Sequence, residues 1–357
     1  MLSVRKHLIH FLLSRGLLEN RLVVDGKVLI YDASSRHKNF VVRVRDGDGF
    51  FLKQARSTQL DAMEREAACY HLLQNEFPAL AELVPRFYCY DKSRNLLILE
   101  ALPEAENLLL YHSRANSFPV ELGTTIGKTL GILHSKAVDH RLSKQPFLGK
   151  MPWILLVHTY GPSQFESPSA AKVLEILKRY PDFAERLEGL RDLWRASALI
   201  HGDIRFSNMV THSSAVGLSL KLVDWEFADI GDPLWDVGAV FETYLTFCIS
   251  AALTSQKTSQ ENRSYEFYQR MQVKVDQMKP ALGAFWIAYM STVGLDKKRS
   301  KGDLDLCICY GAARMLQTVF EATARSHELN QHAIYSLQCS MNILNSPARA
   351  RSELFGF

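Results

Sequence analysis

No uncharged apolar run in the 357 residues approaches the ~20 positions that a membrane-crossing helix needs. The first residues offer no expected signal peptide, because the apolar stretch Leu8–Leu13 is short and broken by His10. Charge of one sign is also scarce. A formal charge of +4 leaves room for an anionic small ligand but does not argue for nucleic acid. The six cysteines (Cys69, Cys89, Cys248, Cys307, Cys309 and Cys339) lie apart, and Cys307-Ile-Cys309 lacks both zinc-site spacing and a nearby histidine pair. Reduced thiols in a reducing compartment are the expectation. Internal repeats and low-complexity segments are missing too. What remains is 47% hydrophobic and 22% charged, the balance of a soluble globular chain with length enough for two lobes. The expectation is a cytoplasmic enzyme with neither a nucleic-acid nor a membrane partner.

Apolar spacing over Val4–Leu18 predicts an amphipathic helix, closed near Gly16. Strand-like runs follow at Arg21–Val24, Lys27–Tyr31, Phe40–Arg45 and Phe50–Gln54, the last two joined by the hairpin signal Asp46-Gly-Asp-Gly49. A helix at Asp61–Gln74 comes next. Four short strands and one helix suggest a small antiparallel sheet with a helix packed on it. Lys53 ends the strand Phe50–Lys53, and Glu64 or Glu66 in the helix could hold its ammonium against phosphates. The turn between the second and third strands, 32–39, contains no glycine. Close approach of backbone N–H groups to phosphate is therefore not signalled there. Ser34 and Ser35, with Arg36 or Lys38, could contact phosphate, or the turn could be an ordinary basic hairpin tip.

The most informative stretch is Leu199–Glu226. His201-Gly-Asp203-Ile-Arg205-Phe-Ser-Asn208 follows one short apolar run, and Asp224-Trp-Glu226 follows another, Leu220–Val223. Asp203 and Asn208 share one tight loop, so both can address a single Mg-nucleotide. Asp203 is the candidate to orient or accept a proton from a hydroxyl, and Asn208 offers a neutral oxygen to Mg²⁺. His201 is expected to brace the loop. Asp236, in Gly231-Asp-Pro-Leu-Trp-Asp236, is expected to accept backbone hydrogen bonds from it.

The pattern resembles the aminoglycoside phosphotransferase and choline kinase family. Its core His-Gly-Asp-x-x-x-x-Asn is complete from His201 through Asn208, and its Gly-Asp-Pro-x-x-Asp from Gly231 through Asp236. The resemblance implies an α+β, protein-kinase-like bilobal fold. A nucleotide-binding lobe would occupy 1–102, with the helix 4–18, and a mainly helical catalytic and acceptor lobe 103–357. It selects Glu66, in Arg65-Glu66-Ala67, as the partner of Lys53, and makes Asp224 the principal metal carboxylate. It places the adenine edge against main-chain atoms of Glu100 and Leu102, and gives Arg205 the transferred phosphoryl group to neutralise. ATP (or GTP) and Mg²⁺ are the implied cofactors.

Beyond residue 103 the pattern turns helical, beginning with Val120–Ser135. The part least like the family is 139–198, with an aromatic loop Phe147–Phe165 and helices at Ala170–Tyr180 and Phe183–Ala196. It could roof an acceptor or be scaffold. The basic run in Asp296–Lys301 reads as a solvated loop, and Tyr310–Ala324 and His332–Leu344 as closing helices. The acceptor is expected to be the hydroxyl of a small molecule such as an aminoglycoside, amino alcohol or sugar. The alternatives are a Ser or Thr of a peptide in a maturation pathway, and an inactive nucleotide-binding module. Asp224 and Asp236 lie only 12 positions apart, too close for a long substrate-docking activation segment.

Overall fold

The computed structural model describes residues 5–34, 38–45, 47–55, 60–102, 104–135, 147, 149–214, 217–254, 263–294, 297–324 and 326–357. The chain forms two compact units, Met1–Glu106 with Val210–Ala228, and Asn107–Met209 with Asp229–Phe357. Helices of two turns or more are numbered in chain order.

The first unit is built on a five-stranded antiparallel sheet of β1 (Val28–Asp32), β2 (Lys38–Val44), β3 (Gly49–Gln54), β4 (Phe87–Asp91) and β5 (Leu96–Ala101), in the order β1-β2-β3-β5-β4. Strand alternation sorts β3 into two faces. Phe50 and Leu52 point toward α1 (Arg5–Ser14), where they join Leu8, Phe11, Leu12, Phe40, Val42, Leu96 and Ile98 in one apolar core. Lys53 therefore points to the opposite face, toward α2 (Leu60–Asn75). The end of α1 is pinned electrostatically: Asp91 is buried and accepts from Arg15 at 2.6 Å and Arg94 at 2.9 Å, and both guanidiniums lie over the Phe11 ring.

The expected strand Arg21–Val24 is instead a helical turn, Asn20–Val24. Leu22 and Val23, adjacent in sequence, both pack on the α1 core while Val24 is exposed. A strand would have sent Leu22 and Val23 to opposite faces. Sequence reading passed over β4, whose pairing with β5 shifts register between Phe87 and Cys89.

The second unit is helical: α3 (Leu108–Ala115), α4 (Val120–His134), α5 (Pro168–Lys178), α6 (Pro181–Leu193), α7 (Pro233–Thr254), α8 (Arg263–Val293), α9 (Lys297–Thr323) and α10 (Gln331–Asn345). The basic run 297–301 is thus the opening of α9 rather than a loop; lysine and arginine are good helix formers, and nothing there breaks the period. Packing of α4 on α8 depends on a stripe of glycines every four residues. A Cβ on Gly123, Gly127 or Gly131 would lie 2.1, 2.3 or 2.5 Å from atoms of Ala281, Phe285 or Thr292. Only a bare Cα lets the two backbones approach that closely. Helix α7 is long and apolar enough to span a bilayer, yet it is buried along most of its length and carries Asp236 and Glu242 inward. It is the central helix of this unit.

Two short strands position the loop 201–208. β6 (Ala198–Ile200) pairs antiparallel with β9 (Asp229–Gly231), so the chain on either side of the stretch Leu199–Glu226 is brought together. Between them in sequence run β7 (Met209–Ser214) and β8 (Gly217–Leu222). The region before β6 packs on α9: Trp153 and Phe165 lie against Phe320, and the Ser167 and Ser169 hydroxyls donate to the Thr323 and Ser326 carbonyls. Residues 139–146 of that region lie outside the described residues. All six cysteines are free.

Candidate active site

In the first unit one ammonium serves two carboxylates. Lys53, 6% exposed, donates to Glu66 at 2.7 Å and also to Asp224. Of the two helix candidates it is Glu66, 1% exposed, that reaches Lys53; Glu64 pairs with Lys92 in solvent. Helical spacing explains the choice. Glu66 and Tyr70 stand one turn apart on the same face of α2, and the Tyr70 hydroxyl accepts from the Asp224 N–H at 3.3 Å. Asp224 itself adopts the left-handed region, φ 68°, which aspartate tolerates better than most residues.

Burial disfavours charge on Lys53, but the neighbouring Glu66 and Asp224 carboxylates outweigh it and hold the ammonium protonated, its pKa above the ordinary value. Burial pushes the Glu66 carboxyl up to about 7 against the pull of Lys53, and the Asp224 charge adds to the rise. Of the two carboxylates on this cation Glu66 is the enclosed one, and it carries the desolvation cost. Asp224 is 35% exposed, and its second oxygen makes no bond to a described residue.

In the second unit the loop after β6 is pinned from behind. Asp236, fully buried on α7, accepts the N–H groups of His201 at 2.6 Å and Gly202 at 3.0 Å, and faces His134 Nε2 at 3.4 Å. Gly202 has φ 77°, a conformation that glycine adopts without strain. The Asp203 N–H donates to His201 Nδ1 at 3.3 Å, so His201 braces the loop.

The Asp203 carboxylate takes three N–H groups on one oxygen and one on the other. Oδ1 accepts from Arg205 Nε at 3.0 Å, from Arg205 Nη2 and from Arg314 Nη2 at 2.9 Å. Oδ2 accepts from Asn208 Nδ2 at 3.1 Å. Burial would raise the carboxyl's pKa, but Arg314 and Arg205 overcome it and hold the group ionised below its usual range. The Asn208 amide nitrogen also donates to the Asp203 carbonyl at 3.0 Å, so its Oδ1, whose one partner among the described residues is the Ser207 hydroxyl at 3.2 Å, is turned away from that carbonyl.

These two clusters hold an ordered ammonium, an ionised carboxylate inside a backbone-pinned loop, and hard oxygen donors. A sequence model of the phosphotransferase enzyme family matches residues 32–268, well over half of the chain. The chain belongs to that family. This phosphotransferase has the protein-kinase-like fold expected from the sequence. Choline kinase LicA from Streptococcus pneumoniae superposes with a TM-score of 0.51 at 15% identity, over 93% of this chain and 99% of that one. Macrolide 2'-phosphotransferase MphH from Brachybacterium faecium gives 0.52 at 16% identity, over 96% of each chain. The GDP complex of wild-type aminoglycoside 2'-phosphotransferase-IIIa gives 0.53 at 15% identity, over 91% of this chain and 99% of that one. At these identities the likeness speaks for the fold alone. No curated protein matches the chain.

The remaining site candidates of this phosphotransferase fall as follows. Ser34 closes its own hairpin: its N–H donates to Asp32 at 2.8 Å, and its hydroxyl accepts from the Asn39 N–H at 3.2 Å. Ser35 and Arg36 lie outside the described residues. The Glu100 carboxylate accepts from the Arg86 N–H at 3.1 Å, and Leu102 follows the end of β5 with its carbonyl accepting from Ala105. Sequence reasoning missed Arg314, Glu321 and Tyr70. A signal existed for Arg314 alone: it is a lone cation in the apolar helical stretch Tyr310–Leu316.

Proposed function

We propose that this phosphotransferase moves the γ-phosphoryl group of ATP to a hydroxyl of a small molecule, in line, with Asp203 orienting that hydroxyl. The observation that carries the reading is the Lys53–Glu66 pair sharing its ammonium with Asp224. A buried lysine fixed from behind by one carboxylate presents its remaining N–H to nucleotide phosphates at a defined point, the arrangement on which kinases rely. Glu100 and Leu102 are proposed to meet the adenine edge through main-chain atoms other than the Glu100 N–H, which donates to the Arg86 carbonyl at 2.8 Å.

Each unit offers a donor of the kind Mg²⁺ takes. Asp224 of the first has a carboxylate oxygen with no bond to a described residue, and Asn208 of the second an amide oxygen whose one partner among the described residues is Ser207; a hard cation that keeps most of its water needs few protein oxygens. Mg²⁺ brought in with the nucleotide would neutralise phosphate charge. Asp203 would accept the acceptor hydroxyl's hydrogen bond on Oδ2, since Oδ1 already takes three N–H groups. A carboxylate held ionised by two guanidiniums is a weak base. It orients the hydroxyl and takes its proton late, which suits a loose phosphoryl-transfer transition state. Arg205 has an Nη1 with no bond to a described residue, available to the transferred group.

The proteins of like fold are named for choline, macrolide and aminoglycoside acceptors, and a small alcohol is the reading these support for this chain. Between Asp224 and the start of α7 the chain has room only for one 3₁₀ turn and β9. The test is transfer of radiolabelled γ-phosphate from ATP, and separately GTP, to a panel of aminoglycosides, macrolides, amino alcohols, sugars and Ser/Thr peptides. Label in a small alcohol supports the proposal. Label only in peptide, or in no acceptor, overturns it.

A further inference from the structure

Arg314 is an unusual residue for the middle of a core helix. It is 1% exposed, and its one ion-pair partner among the described residues is Asp203, at 2.9 Å. Its guanidinium lies 5.7 Å from the Trp235 ring centre, and its Nε has no hydrogen-bond partner among the described residues. Its charge is also felt by Glu242 of α7, a buried carboxylate that accepts from the hydroxyls of Thr246 at 2.9 Å and Thr318 at 3.1 Å. Thr318 is one helical turn after Arg314 on α9, so the helix that supplies the cation also holds that carboxylate.

Stability alone does not account for the buried Arg314–Asp203 pair. Taking a guanidinium and a carboxylate out of water costs about as much as their attraction returns, and apolar side chains of similar volume commonly replace buried pairs without loss. The two arginines on Asp203 also differ. Arg205 is 31% exposed and divides its donors between Asp203 and Glu321, at 3.3 Å. Among the described residues Arg314 has no second acceptor, and it is 1% exposed.

We infer that Arg314 is a positioning residue that holds Oδ1 of Asp203, so that Oδ2 keeps its aim at the acceptor hydroxyl while Arg205 is free to move to the transferred phosphoryl group. The inference rests on the phosphotransfer reading above. It assigns the lasting grip on the essential carboxylate to a helix more than a hundred residues away in sequence, not to the neighbouring loop arginine. Without Arg314, each excursion of Arg205 would leave Asp203 held only by Asn208. With it, the carboxylate stays fixed throughout the reaction.

Arg314→Met and Arg314→Lys test this in the full-length protein, with the acceptor found in the screen or, if hydrolysis is the measurable reaction, with water. Nucleotide affinity is read by calorimetric titration with a non-hydrolysable ATP analogue and Mg²⁺. The expectation is that Arg314→Met loses about 10²-fold in kcat, the scale of a misplaced reacting group, with nucleotide Kd changed less than twofold. Arg314→Lys, which restores a charge and one donor, should recover at least a tenfold part of the loss. Turnover in Arg314→Met within twofold of wild type overturns the inference. So does an equal loss in Arg314→Met and Arg314→Lys together with weakened nucleotide binding, the mark of general damage. If Arg314→Met does not fold, Arg314→Lys decides: a kcat defect at unchanged nucleotide Kd supports the assignment, and wild-type kcat overturns it. A wild-type chain that transfers phosphate to no acceptor and no water overturns the phosphotransfer reading, and this assignment with it. An active wild type with an indifferent Arg314→Met overturns the assignment alone.

Discussion

Replacing Asp236 with asparagine removes one charge and one acceptor from beneath the loop 201–208, and its cost can be worked from the geometry. The carboxylate accepts His201 N–H on Oδ2 at 2.6 Å and Gly202 N–H on Oδ1 at 3.0 Å, in full burial. An amide has one oxygen. Placed toward His201, it leaves its NH₂ facing the Gly202 N–H, donor against donor; flipped, it does the same to His201. One buried N–H goes unsatisfied, which costs about 1–3 kcal/mol, and the surviving bond loses its charge assistance, worth about 1 kcal/mol more. The expected destabilisation is about 2–4 kcal/mol. For a domain of this size each kcal/mol moves Tm by about 2–4 °C, so Asp236→Asn should melt roughly 5–15 °C lower by calorimetry or circular dichroism. Turnover should fall as well, because Gly202 immediately precedes Asp203. Nucleotide binding should hold, since Lys53, Glu66 and Asp224 belong to the other unit. A melting point within 2 °C of wild type would refute the reasoning, and the loop would then owe its conformation to something other than Asp236.

Two further predictions concern packing and acidity. Gly127→Ala should destabilise the protein by about 1–3 kcal/mol despite alanine's helix propensity, because its Cβ would meet the Phe285 carbonyl at 2.3 Å. Gly283→Ala, with nothing within 4 Å of the added carbon, should instead gain up to about 1 kcal/mol; equal melting points for the two would contradict the glycine-stripe account. Burial works against ionisation of Asp91, but Ser93, Arg15 and Arg94 outweigh it and hold the carboxyl well below the usual carboxylate range. The folded group is the stronger acid, so its contribution is complete above the unfolded carboxyl's value near ~3.9 and fades as pH falls below it. The Tm difference between wild type and Asp91→Asn should therefore be widest near neutrality and shrink below pH ~4; a difference that grows on acidification would reverse the sign and the argument.

The residues legible in the sequence are those whose chemistry is local. Asp203 and Asn208 share one loop, Asp224 follows its strand directly, and Lys53 and Glu66 sit at a strand end and on the next helix. Arg314 was hidden because its partner is 111 residues away and no motif ties an α9 arginine to the loop. Its one mark, a charge inside an apolar helical run, reads equally as a solvated position until burial is known. The glycines at 123, 127 and 131 stood in view at a spacing of four, but their meaning depends on which helix lies opposite. Arg21–Val24 misled because four apolar-rich residues fit a strand or a helical turn equally well, and only packing on α1 decides.

The central claim is that Lys53 and Asp203 perform separable tasks, one on the nucleotide and the other on the hydroxyl. Measuring kcat and nucleotide Kd side by side for Asp203→Ala and Lys53→Met tests it most directly. The account predicts a loss of several orders of magnitude in kcat with nearly unchanged Kd for Asp203→Ala, and a marked rise in KM or Kd for ATP for Lys53→Met. Near-wild-type turnover by Asp203→Ala, or an unaltered kcat/KM for ATP in Lys53→Met, would contradict it.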